Sequence, residues 1–223
     1  MGYKSNKRQI LYPRALIREG NIMVALRSLG VYCSASACID DAYRQEAKKL
    51  GRFIAEAGVR LVYGGADVGM MGSVSDGVME AGGTVFGVTT KYLGQHEGIH
   101  NRLQDLRITD DMHERKFLMF QEADAFAVLP GGFGTLDEFF EVITWKQIGL
   151  HSKPIIILNY QGFWNPLKSL FNSLSEKLFI GENDRDLCHF VDGAEQVLPT
   201  IHSLPAVRID PTQKWKKNAC GIS

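Results

Sequence analysis

Ala125-Phe126-Ala127-Val128-Leu129-Pro130-Gly131-Gly132-Phe133-Gly134-Thr135-Leu136-Asp137-Glu138 joins an apolar run, a glycine-rich turn and an acidic helix start. Residues 125–129 are short, continuous and apolar, as expected of a buried strand. From Glu138 the run Phe139-Phe140-Glu141-Val142-Ile143-Thr144-Trp145 continues at helical spacing. A strand, a glycine turn and a helix in that order present free backbone N–H groups and a positive helix end to an anion. A Walker loop would follow its last glycine with Lys and then Ser or Thr to reach β- and γ-phosphates and magnesium. Here Thr135 follows Gly134 directly and no lysine is present, which points to one phosphate or a monophosphate ester. Thr135-x-x-Glu138 also fits a capping box, in which the threonine caps the helix and the glutamate bonds back to the threonine N–H. A cap alone does not require Gly131, Gly132 and Gly134 clustered in front of it.

Around this stretch, β-rich runs alternate with amphipathic helical ones through most of the chain. Strands are expected near Ser28–Cys33, Arg60–Tyr63, Thr84–Val88, Leu106–Thr109, Asp124–Leu129, Pro154–Asn159 and Cys188–Val191. Helices are expected over about Asp40–Ala57, Gly69–Ala81, Asp111–Glu122, Thr135–Gly149 and Asn165–Leu178. The fold class is therefore α/β, a Rossmann-like doubly wound parallel sheet of about seven strands with helices on both faces. Length and composition, 223 residues with 45% hydrophobic, 22% charged and 23 glycines, suit one domain over 23–205. A basic N-terminal extension would occupy 1–22 and a C-terminal tail 206–223.

Charge and cysteine content exclude several classes. Twenty-five basic and 25 acidic residues leave no global field to attract nucleic acid or an anionic membrane. Cys33, Cys38, Cys188 and Cys220 are too scattered for a disulfide scaffold and make no paired CxxC zinc spacing, so a reducing cytoplasm fits. No apolar run approaches a membrane span, and no secretory leader is recognised. Neither a metal nor a cofactor is expected.

Three segments follow strands and so gather at the ligand-binding edge of such a sheet. Tyr63-Gly64-Gly65-Ala66-Asp67-Val68-Gly69-Met70-Met71-Gly72 approaches the dinucleotide fingerprint, with Ala66 where the middle glycine belongs. A structural turn with close helix packing explains it equally well. Asp110-Asp111-Met112-His113-Glu114-Arg115-Lys116 opens a helix, where Arg115 and Lys116 oppose the helix dipole unless an anion sits nearby. Alternatively, Asp110 and Asp111 cap the helix while both cations extend into solvent. The glycine cradle itself is the third segment, and it lies one helix and one strand beyond Arg115.

Taken together, Met112-His113-x-Arg115-Lys116, Pro130-Gly131-Gly132-x-Gly134-Thr135-x-x-Glu138 and Thr144-Trp145-x-Gln147-x-Gly149-x-His151-x-Lys153-Pro154 resemble the LONELY GUY (LOG) family over roughly residues 24–205. The resemblance implies a phosphoribohydrolase that cleaves the N-glycosidic bond of cytokinin riboside 5′-monophosphates, and often AMP, to free base and ribose 5-phosphate. It implies homodimers or assemblies of dimers, Arg115 and Glu138 as the catalytic pair, and Gly131, Gly132, Gly134 and Thr135 around the 5′-phosphate. Lys116, Glu97 and Thr144 would line the substrate, with further phosphate or ribose contacts from Ser36, Gly64, Gly65 and Met112. Many relatives were once labelled lysine decarboxylases, yet no pyridoxal phosphate lysine site is evident. The chain departs from the family at Cys33-Ser34-Ala35-Ser36, where many relatives carry Cys-Gly-Ser-Ser, and at Ala66. A carrier on the same fold, such as relatives that transport molybdenum cofactor, would keep the cradle without needing the Arg/Glu pair.

Overall fold

The computed structural model describes residues 16–19, 22–96, 98, 100, 102–103 and 105–205. The expected tail at 206–223, the first 15 residues of the expected extension, and Glu97 lie outside them. Strands β1 (Leu16–Glu19) and β2 (Ile22–Ala25) pair antiparallel, a feature the sequence pattern did not reveal. The seven expected strands all form: β3 (Ser28–Tyr32), β4 (Arg60–Tyr63), β5 (Val85–Thr90), β6 (Leu106–Thr109), β7 (Ala125–Val128), β8 (Ile155–Leu158) and β9 (His189–Val191). They make one parallel sheet in the order β6-β5-β4-β3-β7-β8-β9. Strand order reverses at β3, which pairs with β4 on one side and β7 on the other. The crevice beyond the carboxyl ends of β3 and β7 is the place where such sheets bind ligands.

Helices α1 (Asp41–Glu56), α2 (Gly69–Glu80), α4 (Met112–Glu122), α5 (Phe133–Gln147) and α6 (Asn165–Glu176) correspond to the five expected, and short α3 (Lys91–His96) and α7 (Val197–Ser203) are additional. Alternate strand residues face opposite ways, so the central strands supply both cores. Leu29, Val31, Ala125, Ala127, Ile156 and Leu158 pack with α1, α2 and α7 residues such as Leu50, Val74 and Ile201. Tyr32, Phe126, Val128, Ile155 and Ile157 pack with Met119 of α4, Phe139 and Val142 of α5, and Leu167 of α6.

Two polar devices fix helices to this frame. Buried Glu46 of α1 accepts a 2.6 Å hydrogen bond from the Ala194 N–H, ahead of α7. The 144–154 segment, so far only a family signature, forms a clasp where β8 begins. The Lys153 N–H donates to His151 Nδ1 (3.1 Å), His151 Nε2 donates to the Val142 carbonyl (2.7 Å), and Lys153 Nζ donates to the Phe120 carbonyl of α4 (2.6 Å). Lys153 Nζ also lies 4.1 Å from the Phe120 ring centroid, a cation–π contact. Burial lowers the His151 pKa from 6.5 to about 4, outweighing its bond to Val142.

Glu46→Ala should cost about 1–2 kcal/mol in urea denaturation by leaving the Ala194 N–H unpaired; an unchanged midpoint would show that this carboxylate does not tie α7 to α1. The histidine clasp makes a second forecast. A histidine held below its unfolded pKa contributes stability that is complete above pH 6.5 and is lost as pH falls towards 4. His189 and His202, also lowered by burial, act in the same direction. Melting temperature should therefore decline across that window, and a flat profile would contradict it.

Candidate functional site

Arg115 and Glu138, 23 residues apart in sequence, meet at the reversal point. Arg115 Nη1 lies 3.2 Å from Glu138 Oε1, and the two residues are only 3% and 4% exposed. Arg115 and Glu138 are thus brought together, as expected. Arg115 Nε donates to the Val88 carbonyl of β5 at 3.0 Å, which fixes the plane of the guanidinium. Gly64 completes the seat: a Cβ there would collide with Arg115 Nη2 and stand 2.9 Å from Met71 Sδ. Gly64 therefore makes room for Arg115.

The start of α4 differs from both sequence-based alternatives. Asp111 caps the helix by accepting from the Glu114 N–H (2.8 Å), and Glu114 Oε2 accepts in return from the Asp110 N–H (3.0 Å). The backbone hydrogen bond from Glu114 holds the Asp111 carboxyl below its usual pKa. The helix end is satisfied by acids, as the solvent-exposed alternative had it, yet Arg115 is buried against Glu138. Lys116 is half-buried and reaches Asp137 and Glu141. Met112, 41% exposed, stands one turn before Arg115 at the rim.

The capping-box reading of Thr135-x-x-Glu138 is corrected. The helix starts two residues earlier, at Phe133, with Gly132 as its N-cap and no side chain capping it. Thr135 lies within the first turn, not at the cap, and Glu138 in the second, where its carboxylate meets Arg115. Starting the helix inside the glycine run leaves its first N–H groups facing outward.

The three glycines serve different needs. A Cβ on Gly131 would run into buried Thr135, 2.7 Å from its Cβ, so close packing requires Gly131. Gly132 and Gly134 would meet nothing within 4 Å, and neither adopts positive φ. Neither packing nor backbone conformation accounts for them. What their missing side chains leave is open access to the start of α5.

The remaining expected residues separate. The Ser36 N–H donates to Ser34 Oγ (3.0 Å) in the exposed loop after β3, while the Ser34 carbonyl accepts from the Met70 and Met71 N–H groups and ties that loop to α2. Gly65 adopts φ +83°, so its turn requires glycine. Ala66, in place of a fingerprint glycine, is buried in the core. Thr144 is exposed on α5, about 9 Å of helix rise beyond Glu138 and on a different side of the helix. The structure does not bring Thr144 to the pair within this chain.

Sequence reasoning missed Tyr32, buried at the end of β3. Burial raises its pKa well above 10, and the negative charge of Glu138 adds to the effect. Burial and then Glu138 likewise raise the Cys33 thiol, so both groups stay neutral beside the charged pair. An apolar strand pattern gives no signal for this. Among the described residues, no cluster of three or more His, Cys, Asp and Glu could hold a metal ion.

Residues 71–201 match the family model described as "Possible lysine decarboxylase". The chain is 41% identical over 172 residues to the cytokinin riboside 5′-monophosphate phosphoribohydrolase of Rhodococcoides fascians, covering 75% of this chain and 87% of the relative. It is 34% identical over 195 residues to a protein with that enzyme name from Arabidopsis thaliana, covering 86% and 92%. Among solved structures, the molybdenum cofactor binding protein of the phototrophic bacterium Rippkaea orientalis superposes with a TM-score of 0.61 at 22% identity, covering 80% of this chain and 96% of that one. At that identity the likeness shows the fold alone.

The open face of α5 can be tested directly. Gly134→Ala should raise stability by about 0.5 kcal/mol, since alanine is the better helix former, while weakening inorganic phosphate binding in calorimetry. Tighter folding with unaltered phosphate affinity would show that the open face is not the anion seat.

Proposed function

The chain belongs to the LONELY GUY (LOG) family, and we propose that it is a phosphoribohydrolase acting on cytokinin riboside 5′-monophosphates, AMP or both. Water would replace the base at C1′, releasing free base and ribose 5-phosphate. The reading is supported chiefly by one observation, the buried Arg115–Glu138 pair beside an uncapped, glycine-opened helix start. Glu138 stands three to five residues beyond the first-turn residues Phe133, Gly134 and Thr135, about 4–8 Å of helix rise, the scale of a ribose 5-phosphate.

Breaking an N-glycosidic bond develops positive charge on the ribose and negative charge on the leaving base. Glu138, paired with Arg115, is suited to stay ionised and to stabilise an oxocarbenium-like ribose or orient the attacking water. Arg115 cannot readily surrender its proton, so its part is to hold Glu138 and supply positive charge where negative charge develops. Gly131, Gly132, Gly134 and Thr135 would seat the phosphate, whose binding energy helps hold the reacting bond in place. Glu97, Lys116, Thr144, Ser36, Gly64, Gly65 and Met112 remain proposed substrate neighbours.

We also propose a cytoplasmic homodimer or assembly of dimers. Exposed Phe117 of α4 and Phe140 of α5 offer apolar surface for that contact. Cys33, Cys38 and Cys188 are free thiols, and among the described residues no helix is long and apolar enough to cross a membrane.

Purified protein in EDTA should release adenine from AMP, or the modified base from its nucleotide, and should turn over unphosphorylated nucleosides far more slowly. Glu138→Gln should lose about 10²–10³-fold in turnover while retaining its circular dichroism. A stable nucleotide complex with no base released across a substrate panel would instead favour the carrier alternative.

A further inference from the structure

Lys116 follows Arg115 directly, yet its ammonium is engaged by two other acids of α5. Nζ lies 3.0 and 3.3 Å from the two carboxylate oxygens of Asp137 and 3.2 Å from Glu141 Oε1. Its side chain is only 11% exposed, and the two acids stand one turn apart on α5, so both face it together. An ammonium has three donors, and these three oxygens match them. Burial pulls the lysine pKa down, but the hydrogen bonds to Asp137 and Glu141 more than offset this and raise it, so Lys116 stays charged.

We infer that Lys116 is a positioning residue and not a phosphate ligand: with Arg115 it forms two adjacent cross-links from α4 to α5 that set where Glu138 stands relative to the cradle. The inner link, Arg115 to Glu138, is buried. The outer link, Lys116 to Asp137 and Glu141, neutralises two carboxylates on either side of Glu138 in sequence. Without it, three acids on one short stretch of α5 would repel one another and any anion nearby. For Lys116 to donate to a phosphate it would have to release at least one of these oxygens.

The inference rests on the phosphoribohydrolase reading for its kinetic readout, and a mutant cycle separates the two. The four proteins are wild type, Lys116→Met, Asp137→Asn/Glu141→Gln, and the triple variant. A partly exposed ion pair contributes little to folding, so all four should stay folded with similar melting temperatures. As a positioning residue, Lys116→Met should lower kcat by about tenfold, the acid double variant should do likewise, and the triple variant should be no worse than either. Ribose 5-phosphate affinity should then be equal in the double and triple variants. A phosphate ligand would behave differently: freed of its acids in the double variant, its removal would weaken ribose 5-phosphate binding about tenfold or more. That result, or an unchanged kcat in Lys116→Met, overturns the inference. If wild type releases no base, the enzymatic reading fails by itself, and the ribose 5-phosphate affinities still decide the place of Lys116.

Discussion

Arg115 and Glu138 are almost wholly withdrawn from water, and two charges in an apolar interior are costly to desolvate unless neighbouring groups satisfy what remains of their hydrogen-bonding capacity. Here the Val88 carbonyl takes the guanidinium Nε, and the absent side chain of Gly64 leaves space for Nη2. Replacing such pairs with apolar residues often stabilises a protein, so stability alone is a weak reason to keep one. A chemical role is the better reason, and the proposed phosphoribohydrolase reaction would supply one. The sheet order makes the meeting feasible. β6 lies at one edge and β7 beside the centre, so α4, which connects them, packs across β5, β4 and β3 and delivers Arg115 to the start of α5.

Much of this arrangement was legible in the sequence. All seven sheet strands lie within a residue or two of their expected ranges, because buried parallel strands leave continuous apolar runs bounded by turns. The central pair was legible through the family resemblance, and the placement of Arg115 near a helix start was legible through its conflict with the dipole. The start of α5 was misplaced because Thr135-x-x-Glu138 matched a common capping pattern. Local pattern lost to tertiary demand: Arg115 claims the Glu138 carboxylate, and Thr135 packs beneath Gly131.

Other features had no sequence signal strong enough to read. Helices α3 and α7 are too short to establish a period. The acceptor for Arg115 Nε is a backbone carbonyl 27 residues away, and no side-chain pattern encodes it. The partners of Lys116 were visible in principle, since Asp137 and Glu141 share one helix face, but their approach to α4 depends on how two helices pack. Thr144 illustrates the reverse case, in which a motif match groups residues that one chain's helix geometry holds apart.

The open faces of Gly132 and Gly134 subject the cradle to an unusual kind of constraint. A recognition surface built from side chains is damaged when atoms are lost, as in truncation to alanine. A surface of main-chain N–H groups has no side-chain atoms to lose. Every substitution at these two positions adds atoms to a space that is empty within 4 Å, and in the helical part some of those additions would even favour the fold. At the proposed phosphate seat, folding stability and ligand access therefore pull in opposite directions. The proposed phosphate would be what keeps that space empty.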